Sequence, residues 1–275
     1  MNFFNEAKSL FKVNIRDYGM YIALIVIMLT FSIMTDGLFM SSRNISNLLD
    51  SAGYIAVVAV GMTLVIVIRH IDLSVGFAAG FLGAIAAILL TQVGLPIYLT
   101  IPIILVLGVM VGLFNGVLVA SIGIPSFVAS LAGMLIFRGA LLQVTEKTGT
   151  IIIKDDNFNA IGNGFIPSIL QINGLHLLSL LVGLVGILLY IYSEISTRKS
   201  KIKYQFEVVS KGIFTLKLIL VSAIIAYITW ILAGYKGFSW TVVIMMLVVV
   251  VYHFLTTKTV LGRHLYAVGS NPEAA

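Results

Sequence analysis

Eight apolar runs, each bounded by charge, by glycine and proline or by polar clusters, organise the chain. They extend from about Tyr18 to Thr35, Asn47 to Ile68, Val75 to Val93, Pro96 to Ala120, Ser126 to Gln143, His176 to Ser193, Lys217 to Tyr235 and Phe238 to Thr257. A helix that crosses a hydrocarbon core ~30 Å thick needs about 20 mostly apolar residues, and each run is of that order. Stretches such as Ile22 to Leu29 and Val242 to Val251 are apolar on every side, whereas the strands of a membrane barrel alternate in polarity. The pattern therefore predicts an all-α integral membrane protein, a polytopic bundle of about eight transmembrane helices. The first run follows a charged stretch, residues 1–17, and no small-residue cleavage pattern comes after it, so it reads as a span and not as a signal peptide.

Composition narrows the class further. The 275 residues are 60% hydrophobic and only 10% charged, with a mean hydropathy of +1.09, where a soluble domain is about a quarter charged. A water-soluble globule and a disordered chain are both excluded, and the absence of cysteine excludes a disulfide framework or a thiolate metal site. The net charge of +6 points to no nucleic acid, because its placement follows the spans. With a cytoplasmic N-terminus, the inner side holds twelve basic residues: Lys8, Lys12, Arg16, Arg69, Arg198, Lys199, Lys201, Lys203, Lys211, Lys217, Lys258 and Arg263. The outer side holds four, Arg43, Lys147, Lys154 and Lys236, and Arg138, near the outer end of the fifth run, completes the seventeen. The positive-inside rule then fixes the orientation, and one span more or fewer would put the basic segment on the wrong side.

The whole chain, 1–275, reads as a single transmembrane domain. Its long outer connection, Val144 to Leu175, carries Glu146, Asp155, Asp156 and the turn signals Asn157, Asn163-Gly164 and Asn173-Gly174, and reads as a solvated surface segment. The long inner one, within 194–216, is a basic cytoplasmic loop expected to lie against anionic membrane lipid.

Little in the spans could carry catalysis. His70, His176, His253 and His264 all lie near span ends without metal-ligand spacing, and no hydrolase, metalloprotease or P-loop pattern occurs. The residues call for no cofactor and no metal. Asp50, one turn inside the second span, is expected at the wet interface. Asp72 and Ser74, just ahead of the third span, suit a helix cap, and polar helix ends are also where transporters hold solutes. Gly76 and Gly80, then Gly108, Gly112 and Gly116, recur every four residues as ridges for close helix packing, with Asn115 placed to hydrogen-bond across an interface. Asp72, Ser74, Asn115 and Asp50 are thus open to two readings, scaffold or solute path. Asn44-Ile45-Ser46 matches a glycosylation sequon, but with Ser41 and Ser42 it reads as a helix cap. At the end of the sequence Gly262 and Gly269 bracket a short polar segment, and Asn271-Pro272-Glu273 offers a helix start with Asn as cap.

Three blocks carry a resemblance: GMTLVIVIRHIDLSVG (Gly61 to Gly76), GLFNGVLVASIGIPSFVASLAGMLIFRG (Gly112 to Gly139) and LGRHLYAVGSNPEAA (Leu261 to Ala275). They resemble the permease subunits of bacterial ABC importers for monosaccharides, the ribose, galactose and xylose group. The basic inner loop and added span pair between Glu194 and Thr257 are most similar to the xylose and multiple-monosaccharide branch. The resemblance implies a type II importer fold in the bacterial inner (plasma) membrane, two permease subunits forming a homodimer, cytoplasmic ABC ATPase subunits and an extracytoplasmic sugar-binding protein. It places the region 258–275 at the start of the segment that couples to the ATPase, with Gly262, Arg263, Gly269, Asn271, Glu273, Ala274 and Ala275 as the coupling residues. Family members continue into further spans, whereas this sequence stops at Ala275, which implies a truncated sequence or a remainder encoded separately, with a functional half as the remaining alternative. The function expected is transport without catalysis, energy arriving through the cytoplasmic contact. The alternatives are a secondary transporter or channel, which would need intramembrane charges for ion coupling, and a membrane enzyme, which would need convergent ionisable groups.

Overall fold

The computed structural model describes residues 15–272 apart from 147–148, 169–170 and 173. In chain order its helices are α1 (Ile15–Met34), α2 (Ser42–Val67), α3 (Val75–Thr91), α4 (Ile97–Ala120), α5 (Ser126–Glu146), α6 (Asp156–Asn163), α7 (Leu177–Lys203), α8 (Lys211–Ala233), α9 (Trp240–Lys258) and α10 (Val260–Ser270). A single 3-10 turn, Leu38–Met40, follows α1, and strands β1 (Gln171–Ile172) and β2 (Leu175–His176) pair antiparallel ahead of α7. Each of the eight apolar runs is helical, and six of them, α2, α4, α5, α7, α8 and α9, are long and apolar enough to cross a membrane. The apolar helix of α3 and that of Gly19–Met34 in α1 are shorter. This is a multi-pass membrane protein.

Its packing has the character expected where lipid is the solvent. Large apolar side chains such as Ile25, Leu105, Leu188 and Val250 are exposed, whereas Ala78, Ala86, Ala129, Ser74, Ser130 and Thr100 are buried. Lipid provides no hydrophobic force between helices, so small residues that permit close backbone approach occupy the contacts.

The chain divides into two compact units, described separately. The first comprises residues 1–49 and 165–239, and its centre is the α7–α8 hairpin. A Cβ at Gly183 would overlap the Thr229 side chain, so glycine sets that crossing. His176, 3% exposed, anchors the start of α7: its Nε2 lies 3.1 Å from the Ile166 carbonyl oxygen and its Nδ1 3.1 Å from Ser179 Oγ. Ser179 Oγ also accepts from the Phe238 N–H at 3.2 Å. At the other end of the hairpin Lys217 pairs with Glu194 at 2.8 Å and the Arg198 guanidinium lies 4.6 Å from the Phe214 ring centre. The expected basic loop is thus mostly helix. Its Glu, Arg and Lys residues favour helix, Lys201 and Lys203 sit in the last turn of α7 where the dipole favours cations, and only Tyr204 to Ser210 connects to α8. The cap expected near Asn44 is present: Ser41 Oγ accepts from the Asn44 N–H at 3.3 Å.

The second unit comprises residues 50–164 and 240–275. In it α3 packs against α4 and α5, and α9 against α6 and α10. The outer connection departs from a plain solvated segment, for it folds into α6. Asp155 caps that helix by accepting from the Asn157 and Phe158 N–H groups at 2.9 and 3.1 Å, and Thr241 of α9 donates to the Gly162 carbonyl at 3.1 Å. The glycine ridges are engaged only in part. A Cβ at Gly80 would meet Leu141 and one at Gly108 would meet Leu82, whereas at Gly76, Gly112 and Gly116 it would have nothing within 4 Å. A four-residue repeat advances by about 40° around a helix at each step. Gly108 therefore faces α3 with Asn115, and Gly112 and Gly116 rotate out of the contact.

Candidate functional site

Within the second unit, the turn between α2 and α3 joins two groups of residues that the sequence singles out. Asp72 Oδ1 accepts from the Ser74 N–H at 2.8 Å and from the Ser74 hydroxyl at 2.6 Å. The Ser74 oxygen in turn accepts from Asn115 Nδ2 at 2.7 Å, linking α3 to α4. Ser74 is 1% and Asn115 8% exposed. Gly133 on α5 closes the group, since a Cβ there would lie 2.8 Å from Asn115 Oδ1 and 3.3 Å from Ser74 Cβ. Bonds of this length to a carboxylate are the charge-assisted kind, stronger than neutral ones.

This corrects the cap reading of Ser74. The residue stands at the N-cap position of α3 but its side chain makes no cap bond; the hydroxyl turns sideways to Asp72 and Asn115. Asp72 takes the local role, receiving the Ser74 N–H in an Asx-type turn. Asn115 bonds across a helix contact, as its position among small residues predicts. Asp50 joins none of these bonds. Its Oδ1 is buried without a hydrogen-bond partner.

Asp72→Asn retains a carbonyl acceptor and should leave folding close to native. Asp72→Leu strips the acceptor from the Ser74 N–H and hydroxyl and should cost about 1–3 kcal/mol, the penalty for buried polar groups left unpaired. Thermal unfolding in detergent distinguishes the two: equal midpoints for both variants would deny the carboxylate its structural role.

The second group lies at α10. Thr259 starts that helix by accepting from the Gly262 N–H at 3.3 Å, and a Cβ at Gly262 would overlap the Thr256 carbonyl, so glycine lets α10 fold back against the last turn of α9. At the other end a Cβ at Gly269 would overlap the Val67 carbonyl oxygen of α2. Arg69, held in the left-handed region at φ 63°, donates from Nε to the Gly269 carbonyl and from Nη2 to the Ser270 carbonyl, both at 2.7 Å. Helix ends leave carbonyls without intrahelical partners and carry partial negative charge, so a guanidinium there satisfies both demands.

The helix expected to start at Asn271 would run into residues outside those described. Asn271 is the C-cap of α10, extended at φ −147° and ψ 101°, because a following proline disfavours helical backbone at the residue before it. The segment bracketed by Gly262 and Gly269 is itself the helix, with Arg263 and His264 exposed on it. Glu273, Ala274 and Ala275 lie outside the described residues. Two participants went unnoticed in the sequence. Arg69 counts there only as a charge, and Gly133 gives a faint signal, since Ala129, Gly133 and Phe137 recur every four residues as buried positions on α5. Among the described residues no group of three His, Cys, Asp or Glu could hold a metal ion.

Comparison with known proteins identifies relatives of the chain. The family model described as "Branched-chain amino acid transport system / permease component" matches residues 44–275, which include both groups. The xylose transport system permease protein XylH of Haemophilus influenzae is 36% identical over 96% of this chain and 68% of its own length. XylH of Escherichia coli K12 is 35% identical over 99% of this chain and 66% of its own. The ribose import permease protein RbsC of Haemophilus influenzae is 38% identical over 54% of this chain and 46% of its own. The chain thus spans about two thirds of the length of the XylH relatives it matches. No solved structure matches it significantly. The relatives are transport permease subunits and not enzymes, and this chain belongs to their permease-component family, among its monosaccharide-importer members.

Proposed function

We propose that this chain is a membrane-spanning subunit of an ATP-driven ABC importer that moves a monosaccharide of the xylose type into the cytoplasm. The observation that carries the reading is α10, a short helix outside the long spans, clamped to α2 by Arg69 and by the backbone approach at Gly269. A helix clamped in this way can receive a push from a cytoplasmic ATPase and pass it to the spans. The similarity to XylH supports the choice of sugar class. In this reading the subunit crosses the bacterial inner membrane eight times in a type II arrangement, pairs with a second copy, and receives sugar from an extracytoplasmic binding protein. Gly262, Arg263, Gly269, Asn271, Glu273, Ala274 and Ala275 form the coupling region. Asp72, Ser74 and Asn115 brace the helices that line the path.

Reconstitution tests it: proteoliposomes holding the transporter with its ATPase and binding protein should accumulate labelled xylose only with ATP supplied at the cytoplasmic face. ATP-independent uptake driven by an ion gradient would overturn the reading. The accompanying orientation puts both termini and the tip of the α7–α8 hairpin in the cytoplasm. A cysteine introduced at Lys201, in a chain that has none, should then resist an impermeant thiol reagent applied to intact cells and react after permeabilisation. Labelling in intact cells would reverse the topology.

A further inference from the structure

We infer that Arg69 is a positioning residue that transmits movement of α10 to the α3–α4–α5 core, a role that rests on the import reading given above. Three observations converge on it. Its side chain grips the two terminal carbonyls of α10, Gly269 and Ser270, at 2.7 Å each. Its backbone sits at φ 63°, a conformation that non-glycine residues adopt rarely and keep where surrounding contacts hold it. And it stands three residues before Asp72, whose carboxylate leads through Ser74 to Asn115 on α4 and to the close approach of Gly133 on α5.

The turn is consequently joined at both ends. On one side, the approach of Gly269 to the Val67 carbonyl bears any push of α10 toward α2, while a pull of α10 away from it passes through the Arg69 bonds. On the other side, Ser74 is buried and bonded to both neighbours, so α3 cannot shift without moving Asn115. Two discrete elements, a surface helix and a helix core, are thereby linked through one short turn, the kind of contiguous physical connection through which coupling can pass. The guanidinium suits the task because its planar fork fixes two carbonyls at once, whereas an ammonium would grip them as a point charge.

The test uses the whole transporter, with its ATPase and binding protein, in proteoliposomes. In Arg69→Gln the ATPase should still co-purify in native proportion, and sugar moved per ATP hydrolysed should fall roughly tenfold, within the usual range of coupling between sites. Arg69→Lys should fall between the two. A short bis-maleimide bridging Arg69→Cys to Ser270→Cys should restore much of the lost ratio, a rescue that a residue with only a folding role would not give. An unchanged transport-to-hydrolysis ratio in Arg69→Gln would overturn the inference while leaving the import reading intact, because the unsubstituted transporter measured alongside tests that reading. Loss of ATPase binding in Arg69→Gln, or a cross-link that restores nothing, would likewise overturn it, reducing Arg69 to a part of the docking surface.

Discussion

Gly133→Leu should be among the most destabilising substitutions available in this chain, costing about 3–5 kcal/mol, a sum of overpacking and of buried polar groups left without partners. The first carbon of any side chain at 133 meets Asn115 Oδ1 at 2.8 Å and Ser74 Cβ at 3.3 Å. Asn115 could swing aside, but its Nδ2 is committed to Ser74 at 2.7 Å, so relief of the clash costs the hydrogen bond. The remaining carbons of leucine have no volume to enter between three packed helices. Gly133→Ala should be intermediate, and its effect should depend on its neighbour. In an Asn115→Ala background the alanine at 133 should be tolerated better than in the native one, a coupling of about 1 kcal/mol between residues in contact. A four-variant cycle of thermal unfolding in detergent measures this; strict additivity would mean that α5 does not press on the Asn115 amide.

Gly269→Trp should detach α10 from α2 without disturbing the spans. The obstruction here is a backbone carbonyl, that of Val67, and a backbone atom cannot be moved by a change of rotamer. Separation of the helices also breaks both bonds from Arg69, each worth about 1.5–3 kcal/mol as a hydrogen bond to a charged donor, less where solvent competes. Amide exchange within α10 is the direct readout, and protection there should drop by about two orders of magnitude, the equivalent of roughly 3 kcal/mol of local opening. Protection in α3 and α4 should remain. Equal loss across the second unit would show that α10 is a pillar of the fold and not a separable element.

The sequence reveals the spans readily because lipid leaves so little freedom. Every backbone polar group in hydrocarbon must be satisfied internally, so runs such as Val242 to Val251 have only the helix available. Polarity, by contrast, marks where lipid ends and not where a helix ends. That is why the basic stretch after Glu194 reads as loop while α7 continues to Lys203. Asn271 illustrates a second ambiguity: an extended Asn suits the entry to a helix and, before a proline, also its exit, and capping patterns alone do not choose between them. Thr259, an equally good cap, starts α10 eleven residues before Asn271. The polar residues of the site stand out one at a time against their apolar surroundings. Their partnerships do not, because Ser74 and Asn115 are 41 positions apart, and Arg69 and Ser270 are 201. Only the fold brings such pairs together. The family, in turn, is legible from three contiguous blocks, and the match to residues 44–275 covers them.

The 27 residues of α7 exceed the about 20 that a bilayer crossing requires. The excess, roughly ten ångströms at 1.5 Å per residue, rises beside the start of α8 and is stapled to it by the Glu194–Lys217 pair and the Arg198–Phe214 stack. Such a stem works as a spacer of fixed height. It holds Tyr204 and Phe206, both exposed, beyond the last stapled turn, and the pairing is settled before the seven-residue tip, Tyr204 to Ser210, is reached. The tip is therefore the natural place to splice in a foreign tag or reporter domain: chain added there lengthens the loop at little entropic expense and leaves the register of the two helices untouched.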